Sequence, residues 1–348
     1  MPRTIVLYNP RCMFYTLPLA LVAIGSAAQR AGWRVVIVDA RLETDPVAAL
    51  LKACADASCL GITMLTGAPI RGALEAARAV KAWRPAFPII AGGAHPSIFP
   101  LQPLEDPAFD ISVAGQGENA LVEILQRLER GESCAGIPGV SVRDSGGAVP
   151  ERRPLEDVNA YAPLDYGLLP MEAYFAKKGR RQLDYISSAG CNFDCAFCSE
   201  PLVSQRRWSG LEPERVGEEL ETLVRRYRIT DVNFQDELFF TQFKRARAIA
   251  HQLIDRRLDV SWAATLRADQ CARMSEEDLL LFKRSGLRRV LIGVEAGSQE
   301  MMDRISKRIT VEEVFASAEK CKRHGIASPA RATRASGAPC AWRGGSAP

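Results

Sequence analysis

Short apolar runs alternate with helical stretches along most of this chain, and that order leaves few folds open. In the first part, the runs at 5–8, 35–38, 60–64, 88–91 and 111–114 are apolar throughout rather than at every second residue. Helical stretches lie between them at 20–31, 46–57, 70–83 and 119–130. Gly32 and Gly131 come after two of these, as expected of a left-handed residue closing a helix. Strands that are apolar on both faces and separated by helices predict a parallel sheet covered on both sides. The reading is α/β, a doubly wound (flavodoxin-like) domain over 1–134, with ligands beyond the carboxyl ends of its strands.

A second series lies further along. Strands are expected at 183–186, 231–234, 260–265 and 289–294, with helices at 212–226, 242–256, 276–284 and 311–324. Repeated βα units predict a partial parallel (β/α) barrel of TIM type over 181–327, whose chemistry belongs at the carboxyl ends of its strands. Polar residues gather there: Gln235, Asp236 and Glu237, then Arg267 and Asp269, then Glu295, Gly297 and Ser298. Between the two series, 135–180 loses the helical period. It is expected to be a structured linker with a small hairpin at 137–147.

With 348 residues the chain is long enough for two cores. Its net charge of +4 gives no bulk argument for nucleic acid. The first ten residues read as a strand and not as a secretory leader, so the ten cysteines are expected in a reducing cytoplasm. The longest apolar run, 14–28, contains Pro18 and falls short of the roughly 20 residues that cross a bilayer.

Three of those cysteines carry chemistry. Cys191, Cys195 and Cys198 stand in the spacing C-x3-C-x2-C directly after an apolar strand. A structural zinc site wants four protein ligands in a closed tetrahedron. Three thiolates on one short loop suit a four-iron cubane better, because they leave one iron open to a substrate or cofactor. A zinc knuckle or three buried thiols are the alternatives.

This spacing, with aromatic Phe197 just before the last cysteine and on the loop after a first barrel strand, resembles the radical S-adenosylmethionine (radical SAM) enzymes. The resemblance implies that Cys191, Cys195 and Cys198 ligate a 4Fe-4S cluster and that its open iron chelates S-adenosylmethionine. It implies reductive cleavage of that sulfonium and abstraction of hydrogen from an unactivated carbon. By position, Phe197 would contact the adenine. Asp236 and Glu237 would stand where the family's Gly-Gly-Glu segment holds the methionine amino group, although the glycines are missing here. Arg267 would pair with the methionine carboxylate, and Glu295 would contact ribose or methionine. A flavodoxin or ferredoxin would be the reductant and a small molecule the substrate.

The first domain resembles the cobalamin-binding domain that precedes many radical SAM domains. The resemblance rests on small-residue loops after three strands: Thr63 to Gly67, then Gly92, Gly93 and His95, then Gly115, Gly117 and Glu118. It implies cobalamin as second cofactor, presented over the barrel mouth. The first loop, Asn9 to Phe14, lacks the histidine that ligates cobalt in mutases. Base-off cobalamin without a histidine ligand is therefore expected, with His95 touching only the cofactor's periphery. Methyl transfer is the expected outcome; oxidative cyclisation, rearrangement and a sulfur-inserting radical enzyme without cobalamin are the alternatives.

Residues 328–348 contain no Ile, Leu, Val, Phe or Met where a fifth barrel strand is due. Such a segment is expected to be disordered, and either a natural tail or an out-of-frame end. On the second reading the barrel stops after four units, its last strand keeps an open edge, and the chain is an inactive remnant.

Overall fold

The computed structural model describes residues 3–143 and 149–328. The chain divides into two compact units, one running to Lys178 and one starting at Gly179.

In the first unit the strands are β1 (Thr4–Asn9), β2 (Arg34–Asp39), β3 (Cys59–Thr63), β4 (Ile89–Gly92), β5 (Ile111–Val113) and β6 (Val140–Val142). The helices are α1 (Leu19–Arg30), α2 (Pro46–Cys54), α3 (Pro69–Trp83), α4 (Ala94–Ile98), α5 (Glu118–Arg130) and α6 (Met171–Lys178). The sheet order is β2-β1-β3-β4-β5-β6, parallel except for β6. Successive side chains of β1 point to opposite faces. Ile5 and Leu7 join a core with Leu21, Ile124 and Leu125 of α1 and α5. Val6 and Tyr8 join another with Leu50, Ala76 and Val80 of α2 and α3.

The first strand of the hairpin expected at 137–147 joins this sheet. Residues 140–142 pair antiparallel with β5, whose edge offers unpaired backbone groups, and the Gly139 N–H donates to the Glu151 carbonyl at 2.6 Å. Residues 144–148 of that expectation lie outside the described residues. The segment before α6 packs on the first unit, where the Asp165 N–H donates to Ser26 Oγ at 2.8 Å.

A buried ion pair ties this packing together. Arg41 Nη2 meets Asp39 Oδ2 at 2.5 Å, with both side chains 3% exposed. The Tyr174 hydroxyl donates to the same carboxylate, and another Arg41 nitrogen donates to the Phe14 carbonyl. The end of β2, the loop after β1 and α6 thus meet at one carboxylate.

In the second unit the strands are β7 (Gln182–Tyr185), β8 (Ser188–Gly190), β9 (Trp208–Gly210), β10 (Asp231–Phe234), β11 (Ser261–Leu266) and β12 (Leu287–Ile292). The helices are α7 (Glu200–Val203), α8 (Pro213–Tyr227), α9 (Phe243–Asp255), α10 (Ala268–Arg273), α11 (Glu276–Arg284), α12 (Gln299–Arg304) and α13 (Val311–Arg323). The main sheet, β12-β11-β10-β7, is parallel throughout. Helix α8 buries Val216, Leu220 and Leu223, one stripe of an amphipathic helix. Phe234, Phe239, Phe240, Trp262 and Phe282 fill the core with tilted and edge-to-face contacts.

The open edge expected on the fourth barrel strand is partly closed. Ala327 bridges Arg289 in parallel, with the Val290 N–H on the Ala327 carbonyl at 2.9 Å and the Ala327 N–H on the Arg288 carbonyl at 2.8 Å. Residues 329–348, and the expectations attached to them, lie outside the described residues. Among the described residues no helix is long and apolar enough to cross a membrane.

The buried carboxylates can be tested by unfolding. Asp39→Ala leaves Arg41 charged, buried and unpaired, and should cost about 3–5 kcal/mol in urea unfolding. Asp231 is held below the usual carboxylate range, since hydrogen bonds from Arg288, Ser261 and Gln182 outweigh the burial that opposes them. A depressed carboxylate stabilises the fold above its unfolded pKa of about 4 and loses that contribution as pH falls through its folded value. Stability should therefore drop through the acid range, and Asp231→Asn should flatten that limb in a pH series of unfolding curves.

Candidate functional site

The loop that carries the three cysteines is held from behind. Between β7 and β8, the Ser187 N–H donates to Asp236 Oδ1 at 2.7 Å, and its hydroxyl donates to Oδ2 at 2.7 Å. The Ser188 hydroxyl donates to the same oxygen at 2.6 Å. At the following peptide, Arg245 donates to the Ser187 carbonyl at 2.5 Å and to the Leu211 carbonyl at 2.8 Å. Asp236 and Arg245 are both buried. Burial pushes the Asp236 carboxyl up against the opposing pull of the serines, and burial lowers the Arg245 guanidinium. The two charges hold the N–H and the carbonyl of one residue, Ser187, and offset each other's desolvation.

A two-stranded ribbon of β8 and β9, unforeseen in the sequence, then delivers the chain to Cys191. Gly190 has a φ of +84°, and a Cβ there would stand 2.2 Å from the Arg207 carbonyl oxygen. Only glycine fits. Cys191 is half-buried, Cys195 buried and Cys198 exposed. The thiols feel one another: burial first, then Cys198 and Cys195, push the Cys191 thiol up. Among the described residues no three His, Cys, Asp or Glu side chains close into a cation site. The loop itself offers three sulfurs, Cys191, Cys195 and Cys198, a donor set that suits a cluster keeping one iron open better than a closed zinc tetrahedron.

Arg267 is placed differently from the carboxylate fork expected. It is buried behind the loop, donating to Asp269 at 2.9 Å and to the Lys307 carbonyl at 2.9 Å. Its guanidinium lies 3.7 Å from the centre of the Phe193 ring and 3.9 Å from Cys195 Sγ. It braces the cysteine loop and sets positive charge beside one sulfur. Asp236 likewise faces inward, its oxygens taken by the serines. Glu237 beside it is exposed to the opening but ringed by protein, and its Oε2 accepts from the Gly190 N–H at 3.2 Å. Burial among those atoms, with Glu200 and Asp236 nearby, pushes its carboxyl up to about 7. Phe197 is half exposed, with Lys307 Nζ 5.2 Å from its ring centre. Lys307 also meets Glu295 at 3.1 Å, which folds Glu295 back over Gly293.

In the first unit, the glycine loops stand at the carboxyl ends of β3, β4 and β5. A Cβ on Gly67, Gly92 or Gly115 would meet nothing within 4 Å. Gly93, at φ +101°, is different: its Cβ would stand 2.8 Å from Thr63 Oγ1 and 3.0 Å from the Met64 carbonyl. Backbones of the β3 and β4 loops touch there. His95 lies on α4 and is buried. Its Nδ1 shares a hydrogen bond with Thr66 Oγ1 at 3.1 Å, and its ring packs on Phe99. It clamps two loops together. Gly117 faces α1, where a Cβ would stand 3.0 Å from Ile24. Glu118 begins α5 half-buried; burial, with Glu156 nearby, raises its carboxyl. The open surface therefore belongs to Gly67, Gly92 and Gly115, while Thr63, Gly93, His95 and Gly117 shape it from below.

Sequence reasoning missed Gly190, Phe193, Arg245 and Lys307. A glycine just before the first cysteine was a readable signal. The other three act across 40 residues or more, where no local pattern points. Gly190→Ala should clash with the ribbon and abolish iron incorporation on reconstitution, leaving the first unit folded; iron and sulfide analysis with circular dichroism checks both.

Comparisons with known proteins identify a domain in each unit. Residues 12–125 match the family described as B12 binding domain, and residues 185–333 match the Radical SAM superfamily. An uncharacterized methyltransferase, PH0819, of Pyrococcus horikoshii is 32% identical over 78% of this chain and 59% of its own length. The anaerobic magnesium-protoporphyrin IX monomethyl ester cyclase of Rubrivivax gelatinosus is 28% identical over 78% of this chain and 50% of its own length. The chain thus spans between half and three-fifths of the length of these curated relatives. Among solved structures, the radical S-adenosylmethionine methyltransferase TsrM from Kitasatospora setae, with cobalamin and a [4Fe-4S] cluster bound, matches with a TM-score of 0.81. That match has 21% identity over 94% of this chain and 68% of TsrM, and it shows the shared fold. The chain belongs to the radical SAM superfamily, among the members that carry a B12-binding domain ahead of the radical domain.

Proposed function

We propose that this chain is a cobalamin-dependent radical SAM enzyme and that it transfers a methyl group to an unactivated carbon of a small molecule. The observation that carries the reading is the cysteine loop: three thiols spaced C-x3-C-x2-C after the first strand of a parallel sheet, braced by Arg267. A 4Fe-4S cluster bound there supplies the electron that cleaves S-adenosylmethionine, and cobalamin supplies the methyl-group chemistry.

The protein's own part is placement. Cys191, Cys195 and Cys198 hold the cluster. Arg267 offsets its negative charge at Cys195 and fixes Phe193. Glu237, the one carboxylate of its pair that faces outward, receives the methionine amino group. Phe197 offers a ring to the adenine, and Lys307 positions Glu295 for the ribose or the methionine. In the first unit, Gly67, Gly92 and Gly115 let a flat macrocycle approach backbone. His95 is buried and its Nδ1 is engaged by Thr66, which supports base-off binding without a histidine ligand. A flavodoxin-like or ferredoxin-like reductant in the cytoplasm completes the set. The cyclase among the relatives favours a second outcome on the same machinery, oxidative cyclisation.

Anaerobic reconstitution tests the reading. The chain should carry about four irons and four sulfides, show corrinoid absorbance with added cobalamin, and form 5′-deoxyadenosine from S-adenosylmethionine with a strong reductant. Cys195→Ala should abolish 5′-deoxyadenosine; zinc in place of iron in the unmodified chain would overturn the assignment. Glu237→Gln should weaken S-adenosylmethionine binding about tenfold or more, as expected for a lost hydrogen bond between charged groups, while leaving the iron content unchanged.

A further inference from the structure

Two cysteines outside the cluster loop face each other. Cys271 lies within α10 and Cys321 near the end of α13. Their sulfurs are 3.9 Å apart, and the residues are 0% and 1% exposed. The Cys271 sulfur also lies 3.8 Å from the Ser317 carbonyl of α13. Lys320 spans the same two elements, donating to the carbonyls of Ala272 and Met274 at 2.6 Å each.

We propose that Cys271 and Cys321 form a redox-active pair that closes to a disulfide and fastens α10 to α13. The proposal stands on this geometry and holds whether or not the cluster reading does. A disulfide needs its sulfurs at roughly 2 Å, so the pair must close by about 2 Å. Rotation about the two side chains and a small shift of α10, a short helix, supply that movement. The contact between the sulfurs holds the proton on Cys271, raising that thiol, and lowers Cys321. Cys321 is then the attacking thiolate.

The oxidant is a hydroperoxide. The Cys321 sulfur attacks the peroxide oxygen, the O–O bond breaks, and the departing hydroxide takes up a proton as water. Cys321 is now a sulfenic acid. The Cys271 sulfur attacks that sulfur, the S–S bond forms, the S–O bond breaks, and the leaving hydroxide takes the Cys271 proton. Two thiols are oxidised and one hydrogen peroxide is reduced to two waters. Helix α10 starts beside Arg267 and contains Asp269, the groups behind Cys195, so the bond acts on an element that backs the cysteine loop.

The full chain, purified anaerobically, is titrated with hydrogen peroxide, alkylated in denaturant and mapped by peptide mass spectrometry. The expected result is one linked peptide pair containing Cys271 and Cys321, lost on reduction with dithiothreitol and absent from C321S. Cys54, Cys59 and Cys134, also buried and free, should remain alkylated and serve as internal controls. The proposal is overturned if Cys271 and Cys321 are both alkylated at a dose that oxidises exposed Cys198. It is overturned equally if Cys321 stops at sulfenic or sulfinic acid, or if Cys271 is found linked to another cysteine. Mapping the unmodified chain decides the matter even if C321S folds poorly.

Discussion

The backbone of Ser187 is held at two successive peptide groups, its N–H by Asp236 and its carbonyl by Arg245. Removing either charge would leave the other buried and uncompensated, and together they pin the backbone of Ser187. The next residues of the chain inherit this rigidity. The β8–β9 ribbon starts one residue later, Gly190 turns the backbone, and Cys191 begins the loop. The three thiols are thus displayed from a fixed anchor rather than from a free loop. A site held through a second layer of hydrogen bonds keeps its geometry when a ligand arrives.

The same arrangement recurs in the first unit. The Asp39 carboxylate gathers Arg41 and Tyr174, and through Arg41 the loop after β1. The β3 and β4 loops are joined by the close approach at Gly93 and by His95 with Thr66. In both units, most polar side chains at the carboxyl ends of parallel strands are engaged in holding loops. Glu237 and Phe197 stay exposed, and Gly67, Gly92 and Gly115 have open space beside them. This division explains why counting polar residues near strand ends overstates a site. Of Asp236 and Glu237, adjacent in sequence, one is buried under the serines and one is exposed, since successive residues leaving a strand point in opposite directions.

Much of the fold was legible because its signals are local. Runs such as 5–8 and 60–64 are apolar on both faces only if both faces are covered, so the parallel sheet could be read directly. The cysteine spacing is local too, and so is its chemistry. The pairing of 140–142 with β5 was not legible, because a short apolar segment pairs with whichever edge is open, and that edge is set by the whole sheet. The direction of Arg267 was hidden for a similar reason. A guanidinium fork fits a ligand carboxylate and a protein carboxylate equally well, and Asp269, Phe193 and the Lys307 carbonyl meet it only in the folded chain.

By itself, then, the sequence determined the two βα series, the triad of sulfurs and the glycine positions, since each depends on the residue types within a few positions of one another. The tertiary structure alone decided which carboxylate faces outward, that Arg267 backs the cysteines, that His95 is a clamp, and that Cys271 meets Cys321 across 50 residues. Those outcomes depend on distances between segments far apart in the chain, and such distances exist only once the sheets and helices have packed.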